Sequence, residues 1–128
     1  MYSLDGSYLI DYLTGRPGAE AFLDIREHEP FGTPTPALYE AYRGAALSAG
    51  PETVADLGER LDWVTPQPLT EAAAREAAVV EATLVDRGEA IAKFDYLIAG
   101  IVRAVGGTLV TADPHFERVD GLEVERYR

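Results

Sequence analysis

The sequence predicts an α/β fold built on a mainly parallel sheet. Short β-branched or alternating apolar segments alternate along the chain with longer segments of helical periodicity, an order that is typical of such sheets. The 128 residues are 47% hydrophobic and 26% charged, an ordinary composition for a globular protein. A chain of this length buries about two-thirds of its surface. We therefore expect a single domain over residues 1–128 whose core needs no covalent cross-link.

The N-terminal half of the chain is divided by proline and glycine residues, which mark the ends of its predicted elements. Ser7 and Thr35 are candidate helix caps, and Ala21, Phe22 and Ile25 are spaced as the apolar face of one helix. The predicted elements are a strand at 2–4 ending at Asp5, helices from Ser7 to Leu13 and from Pro17 to Pro30, a strand at 31–33, and helices from Thr35 to about Leu47 and from Pro51 to Leu61.

The C-terminal half carries the strongest local patterns. Thr70 is placed to cap a helix rich in alanine and glutamate, and Thr108–Thr111 is the best strand candidate of the chain. The predicted elements are a short strand at Trp63–Val64, helices at Glu71–Asp86 and about Ala92–Val105, the strand Thr108–Thr111, a helical turn after Asp113-Pro114, and a strand within Leu122–Tyr127.

The chain is strongly acidic, with 22 acidic and 11 basic residues and a net charge of −11. Lys93 is its only lysine. Such a surface gains no general attraction to phosphate, so contact with nucleic acid requires a metal ion, a local arginine cluster or a basic partner. The imbalance fits either a salt-rich cytosol or an arginine-rich, GC-rich genome, and the sequence leaves both open.

Several classes of protein and site are excluded by composition. Cysteine is absent, so the chain has no disulfide framework, thiolate metal site or cysteine nucleophile. No run of 18 uncharged apolar residues is present to span a membrane, and the first residues do not have the pattern of a secretory signal. We therefore expect a cytoplasmic protein without membrane contact.

Four acidic residues are candidates for one shared site. Asp5 and Asp113 follow predicted strands, and the carboxyl ends of parallel strands are where α/β sheets bind ligands. Glu40 and Asp95 lie on predicted helices, Asp95 within an otherwise apolar first turn. Each also has a local explanation, as a helix cap, an Asx turn or a solvated charge. If all four converge, they repel unless a hard divalent cation lies between them.

Mg²⁺ and Mn²⁺ suit such an all-oxygen set of ligands. Zinc is less suited, because only His28 and His115 offer ring nitrogens.

The ordered set of short motifs resembles PIN-domain ribonucleases, and most closely the VapC-type toxins of bacterial and archaeal toxin–antitoxin pairs. The resemblance covers essentially the whole chain. It is carried by the segments Leu4-Asp5-Gly6-Ser7-Tyr8-Leu9-Ile10-Asp11-Tyr12-Leu13, Thr35-Pro36-Ala37-Leu38-Tyr39-Glu40-Ala41-Tyr42-Arg43-Gly44, Asp95-Tyr96-Leu97-Ile98-Ala99 and Gly107-Thr108-Leu109-Val110-Thr111-Ala112-Asp113-Pro114-His115-Phe116.

The resemblance implies a three-layer α/β/α sandwich and Mg²⁺- or Mn²⁺-dependent cleavage of single-stranded RNA. It also implies an antitoxin that binds the chain, and a homodimer. Asp5, Glu40, Asp95 and Asp113 match the acidic quartet of the family.

Within this quartet, we expect Asp5, Asp95 and Asp113 to hold metal, with Asp113 binding directly or through water, and Glu40 to orient a water. Whether one or two ions bind stays open.

Ser7 and Thr111 match hydroxyl positions beside the quartet, and we expect them to fix its carboxylates. Two positions depart from the family pattern. Gly6 stands where threonine or serine is common, and His115 stands where an aspartate often precedes the phenylalanine. Because His115 replaces an acidic residue, it changes the set of acids around the quartet and bears on which metal the site prefers.

The sequence argues against two other functions and leaves two open. A receiver-type phosphorelay domain needs an acidic neighbour for Asp5 and a lysine at the end of a late strand, and haloacid-dehalogenase-type phosphotransferases need an aspartate at position 7; the sequence has none of these. A PIN nuclease that processes RNA outside a toxin pair stays open. So does a catalytically silent interaction module that binds a partner helix through Tyr8, Tyr12 and Phe22. Arg16 and Arg43 are candidate phosphate contacts, or simply solvated charges.

Overall fold

The computed structural model describes all 128 residues, Met1–Arg128, and contains a five-stranded sheet with six α-helices. The predicted α/β/α sandwich is confirmed. The elements are β1 (Tyr2–Leu4), α1 (Gly6–Leu13), α2 (Pro17–Asp24), β2 (Phe31–Pro34), α3 (Thr35–Ala49), α4 (Thr53–Arg60), β3 (Thr65–Gln67), α5 (Glu71–Asp86), α6 (Lys93–Val105), β4 (Thr108–Thr111), a 3-10 helix (Pro114–Arg118) and β5 (Glu123–Arg126).

All strands of the sheet are parallel, and their order is β3-β2-β1-β4-β5. The central strand β1 has β2 on one side and β4 on the other. Its register pairs Leu4 with Val110, so the carboxyl ends of β1 and β4 lie side by side. The strand order reverses between these two strands, and parallel α/β sheets open a binding crevice at such a point.

The two faces of the sheet pack against different helices, because successive side chains of a strand point to opposite faces. Leu4 and Val110 join residues of α1 and α2, including Tyr8 and Phe22, in one buried cluster. On the opposite face, Leu109 packs with residues of α6 in a second cluster. Helix α3 contributes to both clusters and therefore lies across the edge of these layers.

Helix α6 has more buried residues than any other helix, and α5 packs against it. Its residues Ile98, Ile101 and Val102 are at most 1% exposed. Gly100 allows the close approach, because a Cβ at this position would lie 2.5 Å from the carbonyl oxygen of Ala73 and 2.7 Å from Cβ of Ala77. None of the helices combines the length and the hydrophobicity that crossing a membrane requires.

Two predicted helix caps were wrong. Helix α1 begins at Gly6 and is capped by Asp5, whose side chain accepts a hydrogen bond from the Tyr8 backbone N–H, so Ser7 lies inside the helix. Helix α3 begins at Thr35 itself, after Pro34, and no side chain caps it. In the first case the two candidate caps are two residues apart, and the Ser7 hydroxyl bonds to Asp5 instead of to the backbone of its own helix.

Two other local predictions were also wrong. The strand predicted at Trp63–Val64 begins two residues later, as β3, where Thr65 pairs with Gly32 of β2. Trp63 lies in the turn after α4, and its Nε1 donates a hydrogen bond to the Arg60 carbonyl. The second helix ends at Asp24, well before Pro30. Ile25, expected on its apolar face, is therefore 78% exposed.

Candidate functional site

The four candidate acids line one open cavity of about 330 Å³ at the carboxyl ends of β1 and β4. Asp5 directly follows β1 and Asp113 lies two residues beyond β4, while Glu40 and Asp95 project from α3 and α6. The structure therefore brings together side chains from four separate parts of the sequence. No arginine, lysine or histidine belongs to the cavity lining.

Asp5 is the most buried of the four, with 4% of its surface exposed. Oδ1 accepts hydrogen bonds from Ser7 Oγ at 2.7 Å and from the Tyr8 backbone N–H at 3.0 Å, and Oδ2 accepts one from Thr111 Oγ1. Burial raises the pKa of the Asp5 carboxyl, and these three donors oppose that shift. Asp5 is thus both the cap of α1 and a fixed carboxylate of the cavity.

The two predicted hydroxyl residues connect Asp5 to the loop that follows β4. Ser7 Oγ, which donates to Asp5, also accepts a hydrogen bond from the Ala112 backbone N–H at 3.2 Å. Thr111 Oγ1 likewise donates to Asp5 and accepts from the Asp113 N–H at 2.9 Å. Each hydroxyl therefore fixes a carboxylate orientation and the neighbouring backbone together.

Asp95 and Glu40 have a different environment, because neither carboxylate has a hydrogen-bond or ion-pair partner in the protein. Burial raises the pKa of Asp95 to about 6, and the nearby charges of Asp113, Glu40 and Asp5 add to this shift. Burial also raises the pKa of Glu40, with a further contribution from Asp5. Two partly buried carboxylates thus face other carboxylates, and His115, which lies beside Asp113, only partly offsets the raised pKa of Asp95.

Gly6 makes room for Glu40. A Cβ at position 6 would lie 3.2 Å from Glu40 Oε1, which is tighter than an ordinary contact. The absence of a side chain at the start of α1 therefore lets the Glu40 carboxylate approach the cavity closely. This is a structural role for one of the two departures from the family pattern.

Asp113 lies in the loop after β4, with 33% of its side chain exposed. Its Oδ1 accepts from the His115 backbone N–H at 2.8 Å, which begins the 3-10 helix, and lies 3.1 Å from His115 Nδ1. The second departure from the family pattern, His115, is therefore in direct contact with one of the four acids.

The donor set is suited to a hard divalent cation: four carboxylates, two of them unpartnered, and no basic side chain. However, no group of three or more histidine, aspartate or glutamate side chains is arranged so that it could hold a metal ion directly. Mg²⁺ is commonly bound through one or two carboxylates and several waters. The cavity therefore fits an ion that is held partly through water molecules. It also fits an ion that the unpartnered Asp95 and Glu40 side chains reach by changing their rotamers.

The remaining candidate residues have mostly structural roles. Tyr8 and Phe22, considered as a partner-binding face, are 0% and 7% exposed and belong to the core. Tyr12 is partly buried against the same core and stacks edge-on with Trp63. Arg16 lies 3.7 Å from Asp11, whereas Arg43 is exposed and forms no ion pair.

Two groups of residues were missed in the sequence. One is a buried carboxylate, Asp11, which accepts hydrogen bonds from Tyr127 and Arg128. The other is an exposed aromatic pair, Tyr39 and Phe94, at the positions immediately before Glu40 and Asp95. The sequence does carry a pattern that indicates the second group: on each of two predicted helices, an aromatic residue immediately precedes a candidate acid.

Comparison with known proteins gives a family match over most of the chain. A model of the PIN domain family matches residues 2–122. No curated protein matches the chain.

Among solved structures, DNA-bound VapBC2 from Rickettsia felis superposes with a TM-score of 0.89 at 19% identity, covering 99% of this chain and 98% of that one. DNA-bound VapBC from Salmonella typhimurium gives a TM-score of 0.86 at 21% identity, with 99% and 98% covered. VapC20 from Mycobacterium tuberculosis, described as a toxin that cleaves the sarcin–ricin loop, gives 0.70 at 16% identity, with 91% and 93% covered.

Proposed function

The chain belongs to the PIN-domain family, and from this membership and its acidic cavity we propose that it is a divalent-metal-dependent endoribonuclease acting on single-stranded RNA. We further propose that it is the toxin of a VapBC-type toxin–antitoxin pair. The observation that carries the first proposal is the convergence of Asp5, Glu40, Asp95 and Asp113 on one cavity that no basic residue lines.

The electrostatics of the cavity support the proposed requirement for a divalent ion. Placing several carboxylates together in a partly desolvated site costs free energy, and the raised pKa of Asp95 reflects that cost. RNA brings further negative charge, and the chain itself has a net charge of −11. A divalent cation reverses the local sign of the charge, so we expect RNA binding to require it.

The proposed roles follow the environment of each acid. Asp5, held by three donors, is a fixed ligand for Mg²⁺ or Mn²⁺, and Asp95 is a second ligand. Asp113 completes the site, directly or through water, and Glu40 orients a water molecule. When bound, the ion supplies positive charge for the scissile phosphate and makes water a better nucleophile near neutral pH. Ser7 and Thr111 hold Asp5 in one orientation.

The reaction is hydrolysis of a phosphodiester bond. A water oxygen bonds to phosphorus in line with the bond between phosphorus and O3′, which breaks. The products are an RNA ending in a 3′ hydroxyl and one beginning with a 5′ phosphate. This chemistry needs no hydroxyl or thiol nucleophile from the protein, and the one hydroxyl of the cavity lining, that of Ser7, is already bonded to Asp5 and to the Ala112 backbone N–H.

The toxin role is supported by the proteins that share this fold over nearly the whole chain. VapBC2 from Rickettsia felis and VapBC from Salmonella typhimurium are toxin–antitoxin complexes bound to DNA. In both comparisons 99% of this chain and 98% of the other chain superpose. We therefore propose a cognate antitoxin protein as its partner.

Cleavage of a labelled single-stranded RNA tests the ribonuclease directly. We expect cleavage with Mg²⁺ or Mn²⁺, none with EDTA, and a loss of more than about 100-fold in Asp5→Asn and Asp95→Asn, since even the partners of metal ligands contribute about 10- to 100-fold. Asparagine is as good a helix cap as aspartate, so Asp5→Asn should keep its circular dichroism spectrum. Glu59→Gln, which removes an exposed charge on α4, is the matched control. Full activity in either aspartate variant would refute the assignment.

A readout independent of activity is the thermal midpoint of unfolding. Ligand that binds only the folded state stabilises it by about 2.7 kcal/mol at 100 times its dissociation constant. Mn²⁺ should therefore raise the midpoint of the unsubstituted chain and of Glu59→Gln, but raise it much less in Asp95→Asn. An equal rise in all three would place the ion elsewhere.

The toxin role needs a separate test in cells. Induced expression of the chain in a bacterial host should arrest growth, while Asp95→Asn should not. Co-expression of the protein encoded by the adjacent reading frame should restore growth and copurify with the chain. Metal-dependent cleavage without arrest or a neighbouring partner would favour an RNA-processing nuclease, and partner binding without cleavage would favour a silent interaction module.

A further inference from the structure

Tyr39 of α3 and Phe94 of α6 form an exposed aromatic pair. Their ring centroids are 5.6 Å apart with an interplanar angle of 83°, so the rings pack edge to face. Tyr39 is 51% exposed and Phe94 is 40% exposed, and they are the only aromatic residues among the large apolar side chains on the surface. Neither ring belongs to the buried clusters of the core. The packing of the fold therefore does not explain why both are aromatic.

The position of the pair links it to the acidic cavity. Tyr39 immediately precedes Glu40, and Phe94 immediately precedes Asp95; both acids line the cavity. The aromatic pair thus bridges the same two helices that supply the unpartnered carboxylates, one residue away from each. The pair therefore lies on the same turns of α3 and α6 as these two acids.

We propose that Tyr39 and Phe94 form a stacking surface for an unpaired base of the RNA, beside the phosphate that is cleaved. This inference rests on the proposed ribonuclease function. Aromatic side chains bind single-stranded nucleic acid by stacking on bases, a contact that tolerates any sequence because every base has a π face. A base exposed in single-stranded RNA is available for this contact, whereas a base paired within a helix is not.

The charge of the protein means that RNA binding needs contacts other than a general attraction to phosphate. With a net charge of −11, the chain as a whole repels the RNA backbone at long range, and base stacking supplies binding free energy that does not depend on charge. Two exposed cations stand near the pair in sequence: Arg43 is one helical turn after Tyr39, and Lys93 directly precedes Phe94. Neither forms an ion pair with a carboxylate of the protein, so both are free to meet phosphate groups that flank the stacked base.

The test compares cleavage kinetics of Tyr39→Leu and Phe94→Leu with those of the unsubstituted chain, on a short single-stranded RNA with Mg²⁺. Leucine keeps apolar bulk and removes the π face. We expect KM to rise about tenfold, the size typical of one lost stacking contact, with kcat nearly unchanged. Tyr39→Phe should keep the original KM. Leu47→Ala, an exposed apolar residue near the other end of α3, is the control and should also leave KM unchanged.

RNAs that carry an abasic ribose, placed in turn at each position around the cleavage site, identify the stacked base. At one position the missing base should raise KM for the unsubstituted chain, and should have no further effect in the leucine variants, because both changes remove one contact. If the missing base and the leucine substitution raise KM independently at every position, so that their two effects multiply, the proposal is overturned.

The remaining outcomes separate this inference from the proposed function. If the unsubstituted chain does not cleave RNA at all, both fail. If it cleaves RNA and the leucine variants have unchanged KM, only the stacking surface fails. If the variants change the molar mass measured by light scattering and not KM, the pair is a contact between protein chains and the proposal is overturned.

Discussion

The Thr111 hydroxyl donates a hydrogen bond to Asp5 Oδ2 and thereby joins side chains that are 106 positions apart in the sequence. The same hydroxyl accepts from the Asp113 backbone N–H at 2.9 Å. One atom at the end of β4 therefore orients the acid that follows β1 and the loop that carries another acid of the cavity. The geometry of the site depends on the adjacency of these two strands.

Removing this hydroxyl should affect stability and cleavage together. In Thr111→Val, the buried Asp5 carboxylate and the Asp113 N–H both lose a partner, and we expect a loss of about 1–3 kcal/mol in the free energy of unfolding. Cleavage should fall because Asp5 is less firmly oriented, and Thr111→Ser should recover most of it. Urea unfolding and RNA cleavage measure the two effects. Thr83→Val, which alters an exposed hydroxyl bonded within α5, is the control; a loss no larger than in this control would contradict the prediction.

Asp95→Asn should stabilise the metal-free protein while it abolishes cleavage. Because the pKa of Asp95 is raised from 3.8 to about 6, the folded state binds more protons than the unfolded state between these values. Stability therefore falls as pH rises from about 4 to about 6, and asparagine removes this contribution. The variant should match the unsubstituted chain near pH 4 and exceed it near pH 7. Urea unfolding in EDTA at several pH values measures this, with Glu59→Gln as control; a difference that does not change with pH would count against it.

The buried Asp11 carboxylate should have the opposite pH dependence. It is 7% exposed, and its Oδ2 accepts from the Tyr127 hydroxyl at 2.6 Å and from Arg128 Nε at 2.7 Å. Burial raises the pKa of Asp11, but the hydrogen bonds and the positive charge of the arginines outweigh it, so the net pKa is lowered. Its contribution to stability is therefore complete above the ordinary value of 3.8 and is lost as pH falls through the lower folded value.

Tyr127→Phe tests this network. We expect a loss of about 1.5 kcal/mol near pH 7, the size of one hydrogen bond to a charged group, and a smaller loss in acid where Asp11 is protonated. Urea unfolding near pH 7 and near pH 2 gives both numbers. Tyr42→Phe is the matched control, since no hydrogen bond of the Tyr42 hydroxyl is found in the structure. Equal losses at the two pH values would show that Asp11 does not carry the effect.

Two helical glycines should respond oppositely to alanine. Gly100→Ala places a Cβ 2.5 Å from the carbonyl oxygen of Ala73, so α5 and α6 must separate, and we expect a loss of about 1–3 kcal/mol. Nothing lies within 4 Å of a Cβ at Gly44 of α3, where alanine should stabilise the helix by about 0.5–1 kcal/mol. Urea midpoints measure both. Stabilisation by Gly100→Ala would mean that these two helices are not held at this distance.

The elements that sequence patterns predicted best are those stabilised by local interactions. Helix α5 has the predicted bounds, and Thr70 caps it through the Ala73 N–H, because alanine, glutamate and a threonine cap all favour one local structure. Strand β4 also has its predicted bounds. The strand predicted at Trp63–Val64 was misplaced because the position of β3 depends on pairing with β2, a contact between distant segments.

The amino-acid sequence by itself determined the order of helices and strands and placed Asp5 and Asp113 after strands, because helix and strand periodicity and turn residues act over a few positions. Only the tertiary structure decided that β4 lies against β1 and α3 beside α6, since such neighbours are chosen by the packing of whole faces. That choice brings Thr111 to Asp5, gathers four carboxylates into one cavity, and sets Tyr39 of α3 against Phe94 of α6.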